Sequence, residues 1–424
     1  MESMDIEKQA IVLLTSYFKS PSKDGPNPLT PTEWKSFAGW LIDKRYTPGS
    51  LLSEDGINII ESWNDKKITQ ERIISLLRRG AQMSLALEKW SRAGIWILTR
   101  SDPDYPRKLK NRLGAISPPI LFGTGNKQLL NIQGIAVVGS RDITDEDIKF
   151  AKELGGLISM NDYAVISGGA KGVDETAMLG SLESGGNAVG VLGDGLFQKS
   201  LSQIYRKYLT EGNLVLVSPY YPEAGFSVGN AMGRNKYIYC LSEAAIVVHS
   251  GLKGGTWTGA NENINKKWVP IYVKENISKD CGNNELINRG AKVFDDISFK
   301  LFPLDDLFEN KSFSDYQYGI KTINEPHFDL STSKINEKVN ALNKSDVEIF
   351  ISKSLYNIFI IKLKLILAEK EHSNKELKEI FELTGVQLKE WLSRAEKEKI
   401  IMKIAKPVRY ILCKNELSQT DLFN

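Results

Sequence analysis

The chain has 424 residues, with 55 Lys and Arg against 52 Asp and Glu, a net charge of +3, 42% apolar and 25% charged residues. That is an ordinary globular composition, long enough for roughly two to four domains, and any nucleic-acid surface on it must be a local concentration of charge. Three scattered cysteines, Cys240, Cys281 and Cys413, argue against a disulfide framework or zinc cluster; with no run of about eighteen apolar residues and a polar N-terminus, a cytoplasmic protein without a membrane partner is expected.

Residues 1–94 read as helical. Thr30-Pro31-Thr32-Glu33 is a compact start signal, a capping hydroxyl with proline at the first helical position and Glu three residues after the cap. Trp34, Phe37, Ala38, Trp40 and Leu41 follow at helical spacing, and further helical patterns cover 59–63 and 73–87. The aromatics read as core rather than as a partner-binding face.

A short strand is expected at 96–99, followed by the turn Ser101-Asp102-Pro103-Asp104-Tyr105-Pro106. The basic run Arg107, Lys108, Lys110, Arg112 reads as a solvated face.

From Gly134 the pattern alternates. Apolar runs at 135–138, 164–166, 188–192, 214–217, 244–248 and 269–273 are separated by helix-like segments, which predicts a doubly wound parallel α/β sheet. The first run stops at Gly139-Ser140-Arg141 and the second at Ser167-Gly168-Gly169-Ala170-Lys171-Gly172. Glycine turns bring N–H groups close to an anion, the following helix adds its positive end, and Arg141 and Lys171 add full charges. These turns match neither the Walker A spacing nor the G-x-G-x-x-G dinucleotide pattern. Gly193-Asp194-Gly195, Gly233-Arg234-Asn235-Lys236 and Gly254-Gly255-Thr256-Trp257-Thr258 lie at further loops of the same sheet edge.

Residues 311–350, rich in Ser, Asn, Lys and Asp, read as a linker. The C-terminal piece, 351–424, is expected to hold helices at 355–368, 374–383 and 386–397 and a hairpin at 400–404 and 409–413, the order of a winged helix. Its recognition helix carries Lys389, Arg394, Lys397 and Lys399 among Glu390, Glu396 and Glu398. With charge so nearly balanced, DNA contact and protein contact both stay open.

Residues 95–297 resemble the DNA-processing protein A (DprA/Smf) family. The resemblance rests on Asp102-Pro103-Asp104-Tyr105-Pro106, Pro118-Pro119-Ile120-Leu121 and Val137-Val138-Gly139-Ser140-Arg141. It continues through Ser167-Gly168-Gly169-Ala170-Lys171-Gly172-Val173-Asp174, Val191-Leu192-Gly193-Asp194-Gly195-Leu196, Arg234-Asn235-Lys236 and Gly254-Gly255-Thr256-Trp257-Thr258-Gly259. It implies a Rossmann-like domain over 95–310, between a helical N-terminal domain and a C-terminal winged helix. It further implies single-stranded DNA as ligand, a RecA-type recombinase and a second copy of the chain as partners, and neither cofactor nor catalysis. Gly139, Ser140, Arg141, Ser167, Gly168, Gly169, Lys171, Gly172, Arg234, Asn235, Lys236, Gly254, Gly255, Thr256 and Thr258 would then form the phosphate site. The chain is a diverged member: Ala177-Met178, Phe197-Gln198-Lys199-Ser200, Ser218-Pro219 and Lys236 depart from the family pattern.

A second class stays open, a nucleotide sensor or phosphoribohydrolase-like enzyme of the same superfamily, as in phage defence. Against it, Trp257 and Asn261 stand where that enzyme motif needs glycine and a carboxylate, and Glu262 is one residue late, a rotation of about 100 degrees on a helix. Three histidines, His249, His327 and His372, fall in no catalytic motif.

Overall fold

A computed structural model describes residues 4–20, 25–274, 282–294, 359–360, 363, 366–367, 371–381, 385–397, 400–404 and 408–412. The chain divides into two units, Met1–Ile320 and Lys321–Asn424. The expected linker at 311–350 lies outside the described residues, as does most of the expected helix at 355–368.

The first unit begins with five helices, α1 (Ile6–Thr15), α2 (Pro31–Asp43), α3 (Gly56–Glu61), α4 (Gln70–Leu77) and α5 (Gly80–Arg92). The capping box before α2 forms: the Thr30 N–H donates to Glu33 Oε2 at 2.8 Å, and the Glu33 N–H donates to Thr30 Oγ1 at 3.3 Å. Phe37 stacks on Trp40 and Trp63 meets both rings edge-on, with centroids 5.1–5.6 Å apart. The single helical pattern expected over 73–87 is two helices, broken at Arg78 and Arg79, where the Arg79 guanidinium turns back to donate to the Leu13 carbonyl.

Nine strands follow among the described residues: β1 (Ile95–Thr99), β2 (Ile120–Gly125), β3 (Gly134–Val138), β4 (Ala164–Ser167), β5 (Ala188–Val191), β6 (Leu214–Ser218), β7 (Ala244–Val247), β8 (Ile271–Lys274) and β9 (Lys292–Phe294). Between them run α6 (Arg107–Leu113), α7 (Asp145–Met160), α8 (Val173–Glu183), α9 (Leu196–Ser200), α10 (Gln203–Glu211), α11 (Val228–Gly233), α12 (Asn235–Leu241), α13 (Gly255–Lys266) and α14 (Gly282–Asn288).

The strands form one sheet in the order β1-β2-β6-β5-β4-β3-β7-β8-β9. Strands β3 to β9 run parallel, while β1 and β2 add an antiparallel flank beside β6. The six predicted parallel strands are present. Beyond them and β1 the sheet gains β2, whose apolar run gives way to Gly123-Thr124-Gly125, and β9, which at three residues is too short to read from an apolar pattern.

Every residue of β3 to β7 is buried. Alternate side chains feed two cores: Ile135, Val137, Val165 and Leu216 on one face, Ala136, Val138, Ile166 and Val217 on the other. Helices on both faces explain why these strands read as continuous apolar runs. The N-terminal helices share the first of these cores, Trp90 meeting Phe122 of β2 edge-on at 5.2 Å.

In the run at 107–112, Arg107 is exposed as expected, but Lys108 and Arg112 are not simply solvated. Lys108 donates to the Ile132 carbonyl and pairs with Glu243 at 2.7 Å, while Arg112 donates to the Cys240 and Ser242 carbonyls. These bonds fasten α6 to the end of α12. The Asp102-Pro103-Asp104-Tyr105-Pro106 motif is also structural, because the Thr99 N–H and hydroxyl both donate to Asp102 and the Tyr105 hydroxyl donates to the Pro118 carbonyl.

Chain progression from β3 goes one way to β4, whereas β7 lies on its other side. Between β3 and β7 the strand order reverses, and a crevice opens outside the carboxyl ends of the strands at such a point. Among the described residues, no helix is long and apolar enough to cross a membrane.

In the second unit, the described residues form β10 (His372–Ser373), α15 (Asn374–Phe381), α16 (Gly385–Lys397), β11 (Ile401–Ile404) and β12 (Arg409–Leu412). The strands pair antiparallel in the order β10-β12-β11. Leu377, Leu388, Leu392, Ile401 and Tyr410 share a small core with Phe359, Leu363 and Leu367.

Candidate nucleic-acid interface

At the crevice beyond β3 and β7, three turns are tied together by backbone and side-chain hydrogen bonds. The Ser140 N–H donates to the His249 carbonyl at 2.9 Å, and the Ser140 carbonyl accepts from the Val173 N–H at 3.4 Å. Thr256 Oγ1 donates to the Gly139 carbonyl at 2.9 Å, and Asn235 Nδ2 donates to the Gly255 carbonyl at 3.0 Å. Gly172 makes this approach feasible: its φ is +97°, and a Cβ there would lie 2.6 Å from the Ser140 carbonyl oxygen.

Two adjoining depressions result. The larger, about 400 Å³, is lined by Gly139, Ser140, Arg141, Asp174, Asn235 and the 253–256 turn, with Arg234 in its wall. The smaller, about 240 Å³, is lined by Gly168, Gly169, Lys171, Asp194 and Lys199, and it shares Arg141, Phe226 and Arg234 with the first. The first turns of α8 and α13 both line the larger depression, so two helix N-termini add their positive ends to it. Arg141, Lys171 and Lys253 are exposed at the rim.

Arg234 is the buried centre of the site, 5% exposed. One terminal nitrogen, Nη2, lies 3.6 Å from Asp174 Oδ2, while Nε and Nη1 have no hydrogen-bond partner in the protein. Asp174, also buried, accepts the Gly168 N–H at 3.1 Å. Burial pushes the Asp174 carboxyl pKa up, and Arg234 with the Gly139 and Gly168 N–H groups opposes that rise. Burial likewise lowers Arg234, with Asp174 opposing. An unpaired donor in such a place is costly, and the Arg234 side chain borders both depressions as a buried positive charge.

The structure brings together most of the expected residues but not all. Ser167 faces inward, its hydroxyl donating to the Val137 carbonyl at 2.6 Å. Gly172 acts through its backbone conformation, Lys236 lies over the Tyr237 ring, and Thr258 is exposed on α13 away from both depressions. Arg234 lines the site as expected, yet buried behind it rather than free at the rim. Sequence reasoning missed Lys199 and Phe226. Lys199 Nζ donates to the Gly169 carbonyl at 2.6 Å, bracing the second turn; it sits in the segment that departs from the family pattern, which offered no signal for it. Asn261 Nδ2 donates to the Trp257 carbonyl, and neither Asn261 nor Glu262 lines either depression.

Residues 96–301 match the family described as DNA recombination-mediator protein A. The DNA processing protein DprA of Streptococcus pneumoniae is 31% identical over 199 residues, covering 45% of this chain and 68% of that protein. Protein Smf of Synechocystis is 29% identical over 217 residues, 49% of this chain, and the chain spans 53% of that relative's length. The X-ray structure of DNA processing protein A from S. pneumoniae superposes with a TM-score of 0.52 at 18% identity, covering 69% of this chain and 95% of that one; this likeness is one of fold.

Proposed function

Because the chain belongs to the DprA/Smf family of DNA-processing proteins, we propose that its crevice holds the phosphates of single-stranded DNA, and that the bound strand is handed to a RecA-type recombinase without chemistry on the DNA. The observation that carries this is the convergence of three glycine-containing turns beside Arg234, a buried cation that borders both depressions. Around it stand the N-termini of α8 and α13 and the exposed Arg141, Lys171 and Lys253. Helix N-termini and cations grouped in this way suit the phosphates of a nucleic-acid chain, contacts that carry no sequence information themselves.

The misplaced carboxylate weighs against a base-releasing enzyme, since the side chains at 261 and 262 lie away from the depressions. A titration of labelled oligonucleotide with single-stranded, duplex and mononucleotide competitors tests the proposal. Single strands should compete best, and equal competition by mononucleotides would favour a nucleotide-binding protein instead.

A further inference from the structure

A separate cavity of about 520 Å³ opens where the end of α1 and the segment 28–31 meet the approach to β2 and the loop after β6. Four tyrosines, Tyr17, Tyr220, Tyr221 and Tyr237, and five prolines line it, and no lining residue is charged. Its walls are held from behind. The carbonyls of Pro28, Pro118 and Pro119 accept from the Arg72 guanidinium, the Tyr105 hydroxyl and the Arg100 N–H, and none of these three donors lines the cavity. Prolines have no N–H of their own to satisfy. What faces the space is ring surface with a few uncharged polar groups, Ser227 and Asn230 among them. Those two residues also belong to the segment that separates this cavity from the crevice. Ser227 caps α11 and Asn230 lies within it, while Val228, Ala231 and Met232 of the same helix border the larger depression.

We propose that this cavity is a second binding site, for a small neutral molecule carrying a flat ring, and that its occupant alters the crevice's hold on DNA through α11. The second half rests on the phosphate site proposed above. The volume is that of a small-molecule pocket, in the usual place between packed substructures. Tyrosine and proline rings offer a flat ligand both faces and edges to pack against, whereas a charged ligand would lose its water with no ion partner in the wall. The route to the crevice is short. The Arg234 N–H donates to the carbonyl of Asn230 at 3.0 Å, and a Cβ on Gly233 would lie 2.8 Å from the Tyr220 hydroxyl oxygen. Asn230 and Tyr220 both line the cavity, and α11 buries none of its own residues. A shift of either residue on binding is therefore passed to the backbone that carries Arg234, and such coupling is reciprocal.

The test uses the full chain, with indole as the neutral probe and tryptamine as its cationic counterpart, followed by ligand-detected NMR. Indole should bind, with Overhauser contacts to isotope-labelled tyrosine rings, and tryptamine should bind about tenfold more weakly or worse. Gly225→Phe places a ring at the cavity wall, where a Cβ meets nothing within 4 Å, so it should abolish indole binding without lowering the melting temperature. Saturating indole should change the affinity for labelled oligo(dT), read by fluorescence anisotropy, by about fivefold or more in the parent and not in Gly225→Phe. No indole binding, tighter binding of tryptamine, or Overhauser contacts that miss the tyrosines would overturn the site. Oligo(dT) affinity that saturating indole leaves unchanged would overturn the coupling through α11. A parent that binds indole but no oligo(dT) would overturn the phosphate site instead, and the coupling with it.

Discussion

The guanidinium of Arg234 occupies the space that a side chain on Gly168 would need, because a Cβ built at 168 overlaps its terminal nitrogens. The glycine turn after β4 and the arginine at the start of α12 are therefore one unit. A side chain cannot be added at 168 while Arg234 stays in place.

Gly168→Ala should accordingly cost about 2–3 kcal/mol, at the upper range for overpacking a filled site, because the neighbour is a buried charge rather than a free chain end. Thermal or denaturant unfolding measures it. A variant as stable as the parent would mean that Arg234 has room to move aside.

Asp174→Asn leaves Arg234 buried without its counter-charge. A loss of about 3–5 kcal/mol is expected, the cost of breaking a buried pair, and inorganic phosphate should raise the melting temperature of the variant more than that of the parent. An unchanged melting temperature would show that the Asp174 carboxyl is already protonated in the folded protein, the direction in which burial pushes it.

Acid should loosen the N-terminal helices first. The Arg72 guanidinium, together with the Thr30 N–H and hydroxyl, holds Glu33 down to about 2. A depressed carboxylate contributes stability that is full above its unfolded value and is lost as pH falls from about 4.5 towards 2. The shift corresponds to about 3 kcal/mol, and solvent screening at this partly exposed pair reduces the measurable part to about 1–2 kcal/mol. Glu33→Gln should be less stable at pH 7 by that amount and show a shallower acid transition; identical acid profiles would remove the pair from the account.

The protein should release no free base from nucleoside monophosphates, since Asn261 is engaged with the Trp257 carbonyl and Glu262 lies away from the site. Chromatography of long incubations measures this. Multiple turnovers abolished by Glu262→Gln would establish an enzyme.

Much of the fold was legible because strands buried on both faces need unbroken apolar runs, and 135–138, 164–166 and 244–248 supply them. Glycine turns and following helix starts also marked where anions can approach. What stayed hidden depends on distant pairings. Nothing local to Arg234 says that it will be buried against Asp174 and Gly168, and nothing local to Ser167 says that its hydroxyl turns inward to Val137. The basic run at 107–112 looked solvated because the carbonyls it caps, at Cys240 and Ser242, lie more than a hundred residues away in sequence. Phe226 escaped notice because an exposed aromatic has no periodic signature.

The most direct measurement of the central claim is the salt dependence of single-stranded DNA affinity for the parent, Arg141→Ala and Lys171→Ala. Both side chains are exposed, so melting temperatures should be nearly unchanged while affinity falls by about 1–3 kcal/mol for each variant. With roughly three to five phosphates neutralised, log affinity should fall with log salt at a slope of about −2 to −4, and each variant should be shallower by about 0.7. A flat salt response in the parent, or variants that lose affinity with an unchanged slope, would contradict phosphate binding at these two turns.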